Sequence, residues 1–302
     1  MRVISKSITL ILSLASLGLH LVYALDQATD FLDLGDSALS GEDNESAIRY
    51  YEKGIAALTD DESLLTILSL HTNLGTALSS AGNEKKAVDS YKTAIFKHDA
   101  LIGEIVDRDM KKDANDLSAQ AAFFLGMTYQ ELGEPQLAAD AYALANTLDP
   151  YHWSSLANLG SVLHDNLRQP GDALIAYNKA FEILTQIDHE PTDAPHEPRY
   201  ILSQLQYRIA LAITYDHGRK CARDDDPTKE ISCNELASHA FSLAVGYDST
   251  NEAAKHMLAS ITADATVERA SNTYVKALFD EYAHNFEHAL VSELGYTGYE
   301  RL

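Results

Sequence analysis

Cysteine, tryptophan and positive charge are scarce in this sequence. The 302 residues include two cysteines and one tryptophan, and 23 Lys and Arg face 45 Asp and Glu, a formal net charge of −22. This excess of negative charge argues against binding to nucleic acid or to anionic membranes, because both repel an acidic surface. Two cysteines cannot complete a structural zinc site, and no histidine pair has zinc-finger spacing. Composition therefore excludes classes of partner but names none.

Long apolar runs are absent after residue 24. Before it, Arg2 and Lys6 precede a nearly uninterrupted apolar run from Ile8 to Val22, and Ala24 ends a short segment of the kind that signal peptidase cleaves. The run is shorter than the roughly 20 residues that span a bilayer. We predict that residues 1–24 are a signal peptide, with a retained anchor as the alternative. The mature chain is then expected in the secretory pathway, secreted or in an endomembrane lumen, without membrane association.

Three features bear on that environment. Cys221 and Cys233 lie in one short polar segment, and in an oxidising compartment we predict a disulfide that closes a small loop. The chain's single sequon, Asn44-Glu45-Ser46, lies in a predicted turn between helices and makes Asn44 a candidate glycosylation site. The acidic triplet at 224–226 lacks the alternating ligands of a calcium loop, so no metal site is predicted there.

Five segments of the chain repeat one short pattern. Each contains a leucine followed by a small residue, at Gly35, Gly75, Gly126, Gly160 and Ala212. Twelve residues after the first three glycines stands an alanine (Ala47, Ala87, Ala138), and four residues further a tyrosine (Tyr51, Tyr91, Tyr142). Gly126 and Gly160 are 34 residues apart. Small residues where two antiparallel helices cross let the helices approach closely, and leucine and tyrosine fill the grooves beside them.

This pattern and period resemble the tetratricopeptide repeat family over most of residues 28–263. The resemblance implies an all-α fold, a right-handed superhelical solenoid of antiparallel helix pairs, with about five repeats and a capping helix from Asn251 to about Ala263. Departures from the pattern are a charged extension at 102–118 that lengthens a helix, a proline-rich loop at 188–198, and an insertion around the two cysteines.

The last segment, residues 264–302, does not continue the repeat. Aromatic and aliphatic residues recur at helical spacing at Tyr274, Leu278, Tyr282 and Phe286, and Gly295 ends the pattern. The stretch resembles the helical lead-in of tetratricopeptide-containing class I methyltransferases, matching it at Tyr274, Val275, Leu278, Phe279, Asp280, Tyr282, Ala283, Phe286, Leu294, Gly295 and Tyr296.

That resemblance implies that Tyr274, Phe279 and Tyr282 help cover a pocket for S-adenosylmethionine and substrate. We expect the catalytic domain itself to be absent from these 302 residues, because no Gly-rich turn of the kind that binds the cofactor occurs in them. We expect either a truncated methyltransferase or one that lost its catalytic domain. No catalytic residue and no cofactor is assigned within this chain.

A competing motif overlaps the same segment. Residues 284–288 read His-Asn-Phe-Glu-His and fit the inverted zinc-peptidase pattern. A third ligand must follow such a motif, and only Glu293 and Glu300 supply carboxylates downstream. We therefore predict no metal site there.

The function that the sequence predicts is that of an interaction module. In a solenoid of this kind the first helix of each pair lines a concave face that binds an extended peptide or a helix of a partner protein. Candidate lining residues are Thr72, Asn73, Thr76, Asn158 and Ser161. The alternative is that the repeats recruit substrate for a methyltransferase.

Overall fold

The computed structural model describes residues 28–59, 62–187, 197–215, 221–223, 226–262 and 275–276. These ranges are helical apart from turns and one short β-ribbon, so the fold is all-α, as predicted. The chain divides into two compact units, Met1–Arg168 and Gln169–Leu302. The predicted signal peptide and all but two residues of the predicted lead-in segment lie outside the described ranges.

The first unit is a series of helical hairpins. Its helices are α1 (residues 28–40), α2 (Asn44–Ala57), α3 (Leu64–Ser80), α4 (Glu84–Leu101), α5 (Arg108–Glu131), α6 (Pro135–Leu148) and α7 (Trp153–Ser161). A 3₁₀ turn (Ile102–Glu104) precedes α5, and a π turn (Val162–Asn166) follows α7. We call α1, α3, α5 and α7 the A helices, and α2, α4 and α6 the B helices.

The turn from A helix to B helix is the same in the first three hairpins. A backbone N–H after the turn donates to a carbonyl five residues earlier, from Asp43 to Ala38 at 3.0 Å, Asn83 to Leu78 at 2.9 Å, and Glu134 to Tyr129 at 2.8 Å. This bond forms when a residue just after the helix end adopts the left-handed backbone conformation, which glycine favours. Gly82 and Gly133 supply it with φ of 73° and 72°, whereas Glu42 adopts 60° without that freedom. The sequence placed the sequon Asn44-Glu45-Ser46 in the first of these turns. The structure has it at the start of α2, because Asp43 accepts from the Ser46 N–H at 3.0 Å and caps the helix there.

The core of each hairpin is a tyrosine of the B helix lying against a glycine of the A helix. Tyr51, Tyr91 and Tyr142 are each at most 1% exposed. A Cβ placed on the facing glycine would lie 2.3 to 2.6 Å from the ring, at Gly35, Gly75 and Gly126 respectively. The glycines and tyrosines that recur in the sequence therefore contact each other, and this contact sets how closely the helices pack.

The charged extension lengthens α5, as predicted, but not from its first residue. After the 3₁₀ turn, Asp107 accepts a bond from the Met110 N–H at 2.8 Å and begins the helix at Arg108. Near the base of this extension the buried His98 of α4 bonds through Nε2 to Oδ1 of Asn115 at 2.9 Å. The extension is thus joined to the preceding helix by a buried polar contact.

The second unit holds α8 (Pro170–Ile187), α9 (Glu197–Tyr215), α10 (Cys233–Tyr247) and α11 (Glu252–Thr262). Ser203 of α9 donates to the carbonyl of Ala244 in α10 at 2.8 Å and accepts from Asn251 Nδ2 at 2.9 Å. Asn251 also accepts from the Ala254 N–H, which caps α11. One buried network therefore ties α9, α10 and the start of α11 together.

The connection from α10 to α11 copies the connection from α6 to α7. Asp149 accepts from the N–H two residues on at 2.9 Å, and Asp248 does the same at 2.8 Å. His152 and Asn251 then accept from an N–H three residues on, at 3.3 and 2.9 Å. The same turn therefore begins the next A-type helix in both units.

The insertion around the cysteines contains regular structure that sequence patterning did not predict. Strands β1 (Cys221–Arg223) and β2 (Asp226–Ile231) pair antiparallel, with Cys221 opposite Ile231 and Ala222 opposite Glu230. Of the acidic triplet at 224–226, Asp226 begins β2, and the other two residues lie outside the described ranges. Pairing of the two strands satisfies their backbone N–H and C=O groups.

Candidate functional site

One face of the A helices in the first unit has a repeating layout. Each Leu-Gly pair is flanked by residues two before and one after the glycine, and residues three apart on a helix share a face. These residues are Asp33 and Asp36, Asn73 and Thr76, Phe124 and Met127, and Asn158 and Ser161. We call these eight residues the A face.

At the first junction a tyrosine hydroxyl and two A-face residues form one cluster. The Tyr51 hydroxyl donates to Oδ1 of Asp36 at 2.7 Å, and Asn73 Nδ2 donates to the same oxygen at 2.8 Å. Asp36 lies on α1 and Asn73 on α3, so the carboxylate bridges two successive A helices. Bonds to a charged acceptor are the stronger kind, and this one holds both side chains in place.

The next two junctions repeat this arrangement with different side chains. The Tyr91 hydroxyl donates to Thr76 Oγ1 at 3.3 Å, and the Tyr91 ring lies 6.0 Å from the ring of Phe124 on the following A helix. The Tyr142 hydroxyl donates to Oε1 of Gln130, and Asn158 Nδ2 donates to that hydroxyl at 3.4 Å. Each B-helix tyrosine thus contacts its own A helix and the A-face residue of the next one.

Burial controls the ionisation of these tyrosines. It raises the pKa of Tyr91 and of Tyr142 to about 12. Burial, and then the neighbouring Asp36 carboxylate, raise the pKa of Tyr51 further. The three hydroxyls are therefore protonated donors across the physiological range, and the A face keeps one bonding pattern.

Four of the five predicted lining residues lie together on the A face. Asn73, Thr76, Asn158 and Ser161 are all partly exposed there. Thr72 is only 1% exposed, and its hydroxyl has no hydrogen-bond partner among the described residues. The structure therefore places Thr72 beneath the surface that the other four share.

Sequence reasoning missed four residues of the A face: Asp33 and Asp36 on α1, and Phe124 and Met127 on α5. The two aspartates are exposed and occupy on α1 the positions that Asn73 and Thr76 occupy on α3. The signal was present, because Leu34-Gly35 gives the same register as Leu74-Gly75. In the structure, the bond from Asn73 to Asp36 joins α1 and α3 across 37 residues of chain.

A shallow recess of about 440 Å³ also lies in the first unit. It is lined by Asp113, Asp116, Leu117, Gln120, Asp149 and His152. Burial lowers the pKa of His152, and the nearby Asp149 and Asp116 carboxylates partly oppose this. Within the described ranges no group of three or more His, Cys, Asp or Glu side chains is placed to hold a metal ion.

The remaining predicted site residues are placed as follows. Asn44 is the first residue of α2 and is partly exposed. Cys233 begins α10, and the ribbon register puts the backbone of Cys221 opposite Ile231, two residues before Cys233. Tyr274, Phe279 and Tyr282, and the motif at 284–288, lie outside the described residues. Among the residues that the structure describes, no helix has the length and apolarity to cross a membrane.

Comparisons with known proteins agree with this geometry. Residues 119–152 match the tetratricopeptide repeat family model, and they begin inside α5 after the extension and end at the turn before α7. No curated protein sequence matches significantly.

Three solved structures are similar in fold. The crystal structure of MamA is 21% identical, covers 74% of this chain and 93% of its own, and has a TM-score of 0.50. BtubC from P. vanneervenii is 16% identical over 85% of this chain and 90% of its own, with a TM-score of 0.52. A signal-transduction ATPase with a tetratricopeptide repeat sensor, from Pyrococcus horikoshii, is 15% identical over 88% of this chain and 38% of its own, with a TM-score of 0.58.

At these identities the likenesses establish fold and nothing finer. The family match identifies one repeat, and the same glycine–tyrosine contact recurs in the two hairpins before it. Residues 119–152 are therefore a tetratricopeptide repeat, and the chain folds as an all-α solenoid of the tetratricopeptide type.

Proposed function

We propose that this protein is an interaction module that binds an extended segment of a partner protein along the A face of its first unit. Two bonds carry the proposal. Asn73 donates to Asp36 and so joins polar side chains of two successive A helices, and Asn158 donates to the Tyr142 hydroxyl, which holds a further polar side chain of the A face in place. Solenoids of this class use the corresponding face for partners.

Preorganisation supports the choice of this face. Asn73 uses a side-chain N–H in its bond to Asp36, while its Oδ1 and second N–H can serve a peptide backbone. Because the rotamer is already fixed, binding does not incur the roughly 0.5–1.5 kcal/mol that ordering a free polar side chain costs. Asn158 offers the same groups two A helices further on.

The experiment is a selection of displayed random peptides on the immobilised full chain, followed by affinity measurement of the recovered peptides. Asn73→Ala combined with Asn158→Ala is expected to weaken their binding at least tenfold, corresponding to about 1.4 kcal/mol. The matched control is Glu52→Ala, an exposed change on the B helix α2. Equal effects of the two variants, with helix content unchanged, would place binding elsewhere and refute the proposal.

The alternative function, a methyltransferase whose repeats recruit substrate, rests on the resemblance of residues 264–302. Tyr274, Phe279 and Tyr282, which would cover an S-adenosylmethionine pocket, lie outside the described residues. Sequencing the full-length transcript across the codon for Leu302 tests it. A reading frame that continues into a strand and a Gly-rich turn would favour it over a purely peptide-binding role.

We further propose that the protein matures in the secretory pathway. The ribbon register supports the disulfide between Cys221 and Cys233, since it brings the chain at Cys221 alongside the residues just before Cys233. Expression in a secreting eukaryotic host should yield a chain that begins near residue 25, is glycosylated at Asn44 and loses two hydrogen masses on oxidation. A mature protein with an intact N-terminus and two free thiols would contradict this proposal.

A further inference from the structure

Positive charge is segregated away from the A helices of the first unit. Residues 28–40, 64–80, 114–131 and 153–161 contain no lysine or arginine. They carry five carboxylates, at Asp30, Asp33, Asp36, Asp116 and Glu131. The three cations of α5, Arg108, Lys111 and Lys112, all precede Ala114, in the extension.

Two of the three B helices, α2 and α4, carry cations, whereas α6 carries none. Helices α2 and α4 carry six cations, at Arg49, Lys53, Lys85, Lys86, Lys92 and Lys97. Two of them lie over aromatic rings, with Lys53 Nζ 5.8 Å from the centre of Phe31 and Lys92 Nζ 5.5 Å from that of Tyr129. The cations of α2 and α4 thus lie on B helices, and those of α5 precede the part of that helix that bears the A face.

Negative charge on the A face is concentrated at its first end. Asp33 and Asp36 are A-face residues of α1, and Asp30 lies one turn before Asp33. All three are exposed. Asp36 is held in position by the Tyr51 hydroxyl and Asn73, so its charge is fixed relative to α3. The A-face residues of α3 and α7 are uncharged amides and hydroxyls.

The geometry points to one kind of partner: we infer that the A face binds an extended segment with lysine or arginine at one end, paired with Asp33 and Asp36. The rest of the segment is uncharged, apolar where it meets Phe124 and Met127 and polar elsewhere. This inference rests on the proposed function and specifies its ligand. Charge complementarity sets orientation and association rate more than affinity, so the basic end of the peptide should fix its direction on the A helices.

The test uses the full chain and three labelled twelve-residue peptides of one uncharged background, carrying four lysines at one end, four glutamates there, or no charge. The lysine peptide is expected to bind about tenfold more tightly than the uncharged one at low salt. Most of that advantage should vanish at about 1 M salt, where the Debye length is about 3 Å.

A matched pair of double variants separates the effect of the A-face carboxylates on binding from the effect of the protein's overall negative charge. Asp33→Asn with Asp36→Asn should weaken the lysine peptide about fivefold, as expected for two exposed charge contacts. Asp36→Asn keeps an oxygen that accepts from Tyr51 and Asn73. Glu52→Gln with Asp89→Asn removes the same charge from exposed positions on α2 and α4, and should leave binding within twofold.

Each outcome decides the question. Equal losses in the two double variants mean nonspecific attraction to an acidic protein and overturn the inference, as does failure of the lysine peptide to bind better than the uncharged one. If displayed peptides still bind through Asn73 and Asn158 but are uncharged or acidic, the inference fails while the proposed function stands. If no displayed peptide depends on those asparagines, the proposed function fails as well.

Discussion

The ring of Tyr91 fills the space that a Cβ on Gly75 would occupy. Such a Cβ would lie 2.5 Å from Cε1 and 2.7 Å from Cδ1 of the ring, far inside van der Waals contact. Tyr91 is 1% exposed and its hydroxyl is bonded to Thr76, so the ring has no free direction of movement. The spacing of α3 and α4 therefore depends on the absence of one methyl group.

Gly75→Ala should lower the thermal stability of the protein. Alanine favours a helix over glycine by about 1 kcal/mol, but overpacking in a filled core costs about 1–3 kcal/mol, so a net loss of about 1 kcal/mol is expected. Gly103→Ala is the matched control, because no atom lies within 4 Å of a Cβ at Gly103. Thermal unfolding followed by circular dichroism measures both, and a Gly75→Ala protein as stable as the wild type would contradict this packing.

Asp36→Ala should destabilise the protein by about 1–3 kcal/mol. The substitution removes the acceptor shared by the Tyr51 hydroxyl and Asn73 Nδ2 and leaves a partly buried donor without it. Asp36→Asn should cost less because one oxygen remains, and Asp33→Ala should stay within about 0.5 kcal/mol. Urea unfolding midpoints of the three variants provide the measurement; equal midpoints for Asp33→Ala and Asp36→Ala would show that the bridge adds nothing.

Alkaline pH should unfold the first unit as its buried tyrosines ionise. Burial raises the pKa of Tyr91 and Tyr142 to about 12 from an ordinary value of 10.0. The folded state holds these protons more tightly than the unfolded state does. The contribution of the two tyrosines to the free energy of unfolding is therefore complete below pH 10 and is lost as pH rises from 10 through 12. Tyrosinate absorbance and helical circular dichroism should change together there. Ionisation of all 16 tyrosines near pH 10 with intact helices would contradict the predicted shift.

Mild acid should lower the free energy of unfolding through protonation of His71 on α3. Burial, and then the charge of Lys97, lower the pKa of His71 to about 4 from 6.5. Because the folded state disfavours the charged ring, the contribution of His71 to the free energy of unfolding is complete above pH 6.5 and is lost as pH falls from 6.5 through 4. His71 is partly exposed, which reduces the effect to the order of 1 kcal/mol at pH 5.

The variant His71→Gln isolates that contribution. Its urea midpoint should fall less than that of the wild type between pH 7 and pH 5. The control is His239→Gln, a change at an exposed histidine of α10, which should leave the wild-type difference in place. A pH response unchanged by His71→Gln would assign the acid effect to other groups.

Much of the fold follows from local spacing in the sequence. Leu74-Gly75 with Ala87 and Tyr91 predicts an antiparallel hairpin, because the tyrosine and glycine meet only when the two helices turn back on each other. Gly82 marks the turn because its left-handed conformation excludes most other residues. The same reasoning did not predict Glu42 at a positive φ or the ribbon at 221–231, where neighbouring structure outweighs intrinsic preference.

The sequence by itself determined the repeat, the helix pairs and the excess of negative charge, since these depend on residue type and on spacings within one period. Only the tertiary structure decided which polar residues share a surface. Asn73 and Thr72 are neighbours in sequence, yet one bonds to Asp36 on another helix and the other is buried. Contacts between repeats join side chains up to 37 residues apart, and their geometry depends on how closely the helices pack, which no local pattern specifies.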